Sequence, residues 1–326
     1  MNLHHPVTVG GVELPGNLFL APVAGYSDAA FRSLCYGEGA DLCYTEMVSS
    51  EGLARNHPKT RALLARAENE TRYAIQLFGS KPEVLAQACR ELLAYRPAIV
   101  DLNCGCPVPK IVRSGAGSAL MRDPGLLARI VAAMAEALGP AGVPVTVKIR
   151  SGWDEGSLNY LEVASRAVEA GAAAVTLHAR TRAQGYSGSA DWGQVAALAR
   201  ELRVPVFGSG DVSGAEAPAR MIGQTGCAGV MVARGAMGDP FFFRAAIAAL
   251  EGRPAAPPTV AARAEAARRH LGLAVAFLGE RTACVEFRKH FCSYTKGTAG
   301  GAALRSEAVR ASTQAEFEAL LGRWAG

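Results

Sequence analysis

The most constraining feature of this chain is a regular alternation. Short, β-rich apolar runs recur eight times in the first 250 residues, separated by Ala/Leu-rich stretches at helical period. The runs are Leu18–Pro22, Leu42–Glu46, Tyr73–Phe78, Ile99–Asn103, Val145–Ile149, Ala174–His178, Val204–Gly208 and Gly229–Ala233. Helices are predicted over Pro82–Tyr95, Pro124–Leu138, Leu158–Ala170 and Trp192–Leu202. The runs are apolar throughout rather than alternating, which describes strands buried on both faces. Eight β/α units predict an α/β fold, the (β/α)8 or TIM barrel. Ahead of them, Gly10-Gly11 between two short β runs reads as an N-terminal β-hairpin lying against the barrel floor. A doubly wound sheet is the rival. It would need a Gly-rich first turn, and Gly115-Ala-Gly117-Ser-Ala-Leu120 lacks the third glycine and follows a long loop.

The pattern changes at Glu251. Gly252-Arg-Pro-Ala-Ala-Pro-Pro258 is a breaker-rich linker, and only helical stretches follow: Thr259–Leu278, Thr282–Tyr294 and about Gln314–Trp324. The expected division is a catalytic barrel over 1–250 and a C-terminal helical-bundle domain over 251–326. Of the net charge of +5, the tail carries +4, from eleven Lys/Arg against seven Asp/Glu. A basic tail on a near-neutral body suggests a polyanionic partner. A merely solvated helical surface is the bland alternative. No apolar run reaches the roughly 20 residues of a membrane span, and no signal peptide is visible, so a cytoplasmic enzyme is expected. Oligomeric state stays open, a monomer being compatible with everything above. The eight cysteines contain no CxxC pair, so no zinc site is expected among them, and most should be reduced core filler.

Barrel function collects at the C-terminal strand ends. There the chain places Pro22, Val23 and Ala24, then Glu46, Gln76, Asn103 with Cys106, Lys148, and His178 with Arg180. Ser209-Gly210-Asp211 and Ala233-Arg234-Gly235 follow the last two strands. Gly-rich turns at these last two ends form a phosphate site in this fold, built from backbone N–H groups. Lys148 lies within a strand, where an ammonium is costly unless paired. It suits three roles equally: a charge for the anionic edge of a reduced flavin, a Schiff-base amine, or an ion pair with Glu46. His178 has no accompanying ligand cluster, so a metal centre is not expected.

Taken together, Ala21-Pro-Val-Ala-Gly-Tyr-Ser-Asp28, Gln76-Leu-Phe-Gly79, Asp101-Leu-Asn-Cys-Gly-Cys-Pro107, Val147-Lys148, His178-Ala-Arg-Thr-Arg182 and Ser209-Gly-Asp211 resemble the tRNA dihydrouridine synthases. Arg288-Lys289-His290 is similar to the bacterial B-type subgroup. The resemblance spans nearly the whole chain and implies an FMN-bearing barrel, NADPH as reductant and tRNA as partner. It implies FMN contacts at Pro22, Val23, Ala24, Gln76, Lys148, His178, Ser209, Gly210, Asp211, Ala233 and Arg234. It further implies that hydride passes from flavin N5 to uracil C6 while Cys106 delivers a proton to C5. Asn103 would hold the uracil, with Tyr186 as a second contact. Lys110, Arg113, Arg180 and Arg182 on the rim, and Arg288, Lys289 and Lys296 in the tail, would hold tRNA phosphates. Val23, Ser209, Ala233 and Ala179 stand where the family more often has Met, Asn, Gly and Gly. An acid must stay protonated, so Cys106 should not be acidified, and Cys104 should be structural. Three rivals remain: a dihydroorotate dehydrogenase-like barrel, a phosphate-sugar aldolase or isomerase using Lys148, and a non-catalytic RNA-binding protein.

Overall fold

A computed structural model describes residues 2–326. The chain opens with the antiparallel hairpin β1 (Val7–Val9) and β2 (Val12–Leu14). Eight parallel strands follow: β3 (Leu18–Leu20), β4 (Leu42–Ser49), β5 (Ala74–Phe78), β6 (Ile99–Cys104), β7 (Val145–Arg150), β8 (Ala172–His178), β9 (Val206–Ser209) and β10 (Gly229–Val232). They pair in chain order, and β10 closes on β3. The barrel and the hairpin are thus as the sequence predicts, with strand ends displaced by one to three residues.

The helices around the barrel are α1 (Ala29–Gly37), α2 (Ser50–Ala54), α3 (Pro58–Ala62), α4 (Pro82–Leu92), α5 (Pro109–Arg113), α6 (Pro124–Leu138), α7 (Tyr160–Glu169), α8 (Trp192–Glu201), α9 (Ala217–Thr225) and α10 (Phe242–Leu250). The tail forms α11 (Val260–Leu278), α12 (Glu280–Tyr294), α13 (Gly301–Ala308) and α14 (Gln314–Ala325). The sequence predicts no helix between Tyr294 and Gln314. The structure starts α13 immediately after Gly300 and buries Leu304 and Ala308, one helical turn apart, against the other tail helices.

Strand geometry explains why the runs are apolar on both sides. Successive side chains point to opposite faces. Phe19, Leu42, Tyr44, Ile99, Phe207 and Met231 fill the barrel interior. Val7, Val9 and Leu14 of the hairpin join that cluster and so close its floor. Cys43, Ile75, Val100 and Leu102 face outward into the layer beneath the helices. A second cluster, including Phe287, Phe291, Phe317 and Trp324, belongs to the tail helices alone. Among the described residues no helix is long and apolar enough to cross a membrane.

Candidate active site

With the floor plugged, the open C-terminal end of the barrel leaves a cavity of about 660 Å³. Strand ends supply its wall: Pro22, Val23 and Ala24 after β3, Gln76, Asn103 and Cys106, Lys148, His178, then Ser209, Gly210 and Asp211 after β9 and Ala233 and Arg234 after β10. Tyr186 and Lys296 complete it. Lys296, the lining residue that comes from the tail, shows that the tail reaches over the barrel mouth.

Lys148 makes no ion pair among the described residues, and Glu46 instead accepts from the Gly25 amide, so the proposed Lys148–Glu46 pair does not form. Burial, followed by the nearby Arg150 charge, brings the Lys148 ammonium down to about 8. Asp101 lies two register positions from Lys148 on the neighbouring strand, opposite Thr146, and is fully buried. Burial raises its carboxyl to about 6, against hydrogen bonds from Thr146 Oγ1 (2.6 Å) and Gln76 Nε2 (2.7 Å). Burial and then four cationic neighbours, Lys148 first, drive His178 far down, so its ring is neutral.

The Cys106 loop is built by a relay. Asp101 holds Gln76, Gln76 Oε1 accepts from Asn103 Nδ2 (2.8 Å), and Asn103 Oδ1 accepts from the Cys106 (2.9 Å) and Gly105 (3.2 Å) amides. Asn103 is therefore first a loop anchor. Its other N–H has no acceptor stronger than the Met47 sulfur at 3.7 Å. The loop closes where Cys106 O accepts from Ser118 N (3.0 Å). A Cβ at Gly117, at φ +62°, would lie 2.8 Å from that oxygen. Gly117 of the stretch rejected as a dinucleotide fingerprint thus serves the cysteine loop. Burial pushes the Cys106 thiol up, against a hydrogen bond from the Val108 backbone and then the Arg150 and Lys148 charges. Cys104 points into the outer core and is inert.

Sequence reading missed Arg150. It stands two residues after Lys148, and period-2 geometry puts both on the inward face. Its Nε donates to Gly105 O (2.8 Å), and its Nη1 donates to Thr181 O and Gly185 O (both 2.9 Å). It ties the cysteine loop to the loop carrying Tyr186.

The turns after β9 and β10 have the form of an anion cradle. Among the described residues, the Gly210, Asp211, Val212 and Ala233 amides donate to no protein acceptor. A Cβ at Gly210, at φ +106°, would meet His178 Cδ2 and Ala190 Cβ at 2.9 Å. These free amides fit a phosphate group.

Several expected phosphate contacts sit differently. Arg180 is buried and spent. It donates to both Asp211 carboxylate oxygens (2.7 and 2.8 Å), to Gly188 O and to Ser187 O, so it braces the β9 turn and presents no charge to solvent. The Arg288 Nε donates to Ala311 O (2.9 Å), binding α12 to the end of α13. Arg182 stacks on Trp153 (4.5 Å), which Arg122 also faces (4.8 Å). Lys289 pairs with Glu286 and overlies Gly25. Lys110 and Arg113 on α5 are exposed beside the cysteine loop. Tyr186 is 59% exposed, with Arg234 (4.7 Å) and Arg150 (5.7 Å) at its ring.

Fold and site together define a TIM-barrel enzyme with an anion cradle, a half-buried, unpaired lysine and a cysteine thiol around one cavity. The chain matches the family described as dihydrouridine synthase (Dus) over residues 19–323. It is 48% identical to a probable tRNA-dihydrouridine synthase of Treponema pallidum, over 98% of this chain and 96% of that one. It is 37% identical to tRNA-dihydrouridine synthase B of Pseudomonas aeruginosa, over 92% and 90%. Histamine dehydrogenase from a Rhizobium species shares the fold, with a TM-score of 0.60 at 14% identity over 83% of this chain and 51% of that one. The chain belongs to the dihydrouridine synthase family, a family of oxidoreductases.

Proposed function

We propose that the protein reduces the C5–C6 bond of uridines in the tRNA D-loop, with FMN in the barrel mouth and NADPH as the source of electrons. The observation that carries this reading is that the Cys106 thiol, raised by burial, and the half-buried, unpaired Lys148 ammonium line one cavity. Flavin, when bound, supplies the hydride. The chain does the rest. The free amides of the two turns bind the phosphate, and Lys148 offsets negative charge at the ring edge. Cys106 keeps its proton at neutral pH and gives it to C5 on the opposite face of the base. Pro107, Asn103 and Arg150 fix the thiol's position. A uridine leaves its stack to reach this depth. The weakly used N–H of Asn103 and the exposed ring of Tyr186 are its contacts. Lys296 at the mouth, with Lys110, Arg113 and the helical segment 251–326, meets the phosphates.

The test is to incubate the protein with FMN, NADPH and unmodified tRNA and to assay dihydrouridine. Cys106→Ala abolishes turnover while flavin stays bound. Normal turnover by that variant rejects Cys106 as the acid. A colourless protein that binds no flavin rejects the whole reading in favour of an aldolase-type role for Lys148.

A further inference from the structure

Outside the cavity, one cluster of ligand-forming side chains joins the barrel to the tail. Asp28 caps the N-terminus of α1, accepting from the Phe31 amide at 2.8 Å. His270 comes from α11 and His290 from α12. One ligand atom from each lies within 4.8 Å of the other two. His290 Nε2 is 3.2 Å from Asp28 Oδ2, and His270 Nε2 is 3.8 Å from Asp28 Oδ1. We propose that Asp28, His270 and His290 bind one divalent transition-metal ion of the zinc class, which clamps the helical segment onto the barrel.

Three observations support it. The first is an unmet valence. His270 is fully buried, and its Nε2, the atom facing the carboxylate, has no hydrogen-bond partner. An unsatisfied buried nitrogen is costly unless something occupies its lone pair. The second is spacing. Bonds of about 2.0–2.1 Å in a tetrahedral site place ligand atoms roughly 3.3 Å apart. The His290–Asp28 distance of 3.2 Å already has that value, and His270 Nε2 is 3.8 Å from the other carboxylate oxygen.

The third is the surround. The Tyr294 hydroxyl lies 3.3 Å from His270 Nδ1 and orients that ring. Phe31 stacks on His270 at 5.5 Å, and Tyr26 meets His290 edge-on at 5.0 Å. The nearby Arg32 charge is already neutralised by Glu70 at 2.7 Å. Asp28 stays 27% exposed, which leaves an entry path and room for water as a further ligand.

Two imidazoles with one carboxylate suit Zn2+ or Co2+ and not Ca2+ or Mg2+, which prefer all-oxygen shells. The three residues lie 20 to 262 positions apart, so no local motif marks the site.

The experiment is a Co2+ titration of the full-length, chelator-treated protein, followed by visible absorption, with Zn2+ as competitor. One equivalent of Co2+ binds, with the intense bands of four- or five-coordination, and Zn2+ displaces it. Zn2+ also raises Tm. His270→Gln and His290→Gln each weaken binding about tenfold or more. Glutamine at 290 retains a donor for Asp28, so circular dichroism should stay native. Absence of stoichiometric binding by the unmodified protein overturns the proposal, whatever the variants do. Equal affinity in well-folded variants overturns it too. Neither readout depends on flavin or tRNA.

Discussion

Lys148→Met tests the electrostatic core of the proposed function. Methionine matches the unbranched shape of lysine and removes only the charge. In the folded protein Lys148 titrates at about 8, against 10.5 for the free side chain. At about 1.4 kcal/mol per pH unit, holding the proton at pH 7 costs up to about 3 kcal/mol in the flavin-free protein. Between about pH 8 and 10.5 the unfolded chain binds the proton and the folded chain does not, so this contribution makes stability rise with pH through that window. Flavin-free Lys148→Met should therefore be more stable than the parent by up to about 3 kcal/mol at pH 7 and equal to it above pH 10.5. Urea unfolding at several pH values measures this. In the flavin-loaded protein the sign reverses where the charge has work to do. Reduced flavin loses about tenfold or more in affinity relative to oxidised flavin, and the midpoint potential falls. A variant that is less stable without flavin, or that leaves the potential unchanged, refutes the view of Lys148 as an unpaired cation kept for an anionic ring.

Other outcomes follow from the geometry. Gly210→Ala forces a Cβ against His178 and Ala190 in a left-handed turn, and the purified variant should lose most of its flavin absorbance. Arg180→Ala strands Asp211 and two carbonyls and should cost about 2–3 kcal/mol in chemical denaturation, with flavin loss. Lys110→Ala and Arg113→Ala should leave stability unchanged. Each should instead weaken tRNA binding and reduce the slope of log affinity against log salt by about 1. Thr146→Val deletes a 2.6 Å donor to Asp101. It should lower stability by about 1–2 kcal/mol and move the Asp101 titration above about 6, read by carboxyl NMR.

The sequence by itself determined the barrel, because burial on both strand faces writes itself into continuous apolar runs with helices between them. It also determined most of the cavity wall. Strand ends in a barrel converge by topology alone, so Cys106, Lys148, His178 and the two turns had to meet. What it did not determine is which polar groups are spent on one another. Arg180 and Arg182 look alike in His178-Ala-Arg-Thr-Arg182, yet one is locked onto Asp211 and the other stacks on Trp153. Asn103 reads as a substrate contact, and only the folded loop shows it anchoring Cys106. The packing of α11 and α12 on α1 belongs wholly to tertiary structure: it puts Lys296 into the cavity and brings His270 and His290 to Asp28. Hydrogen bonds and ion pairs depend on distances of tenths of an ångström between segments far apart in the chain. Periodicity carries no record of these distances.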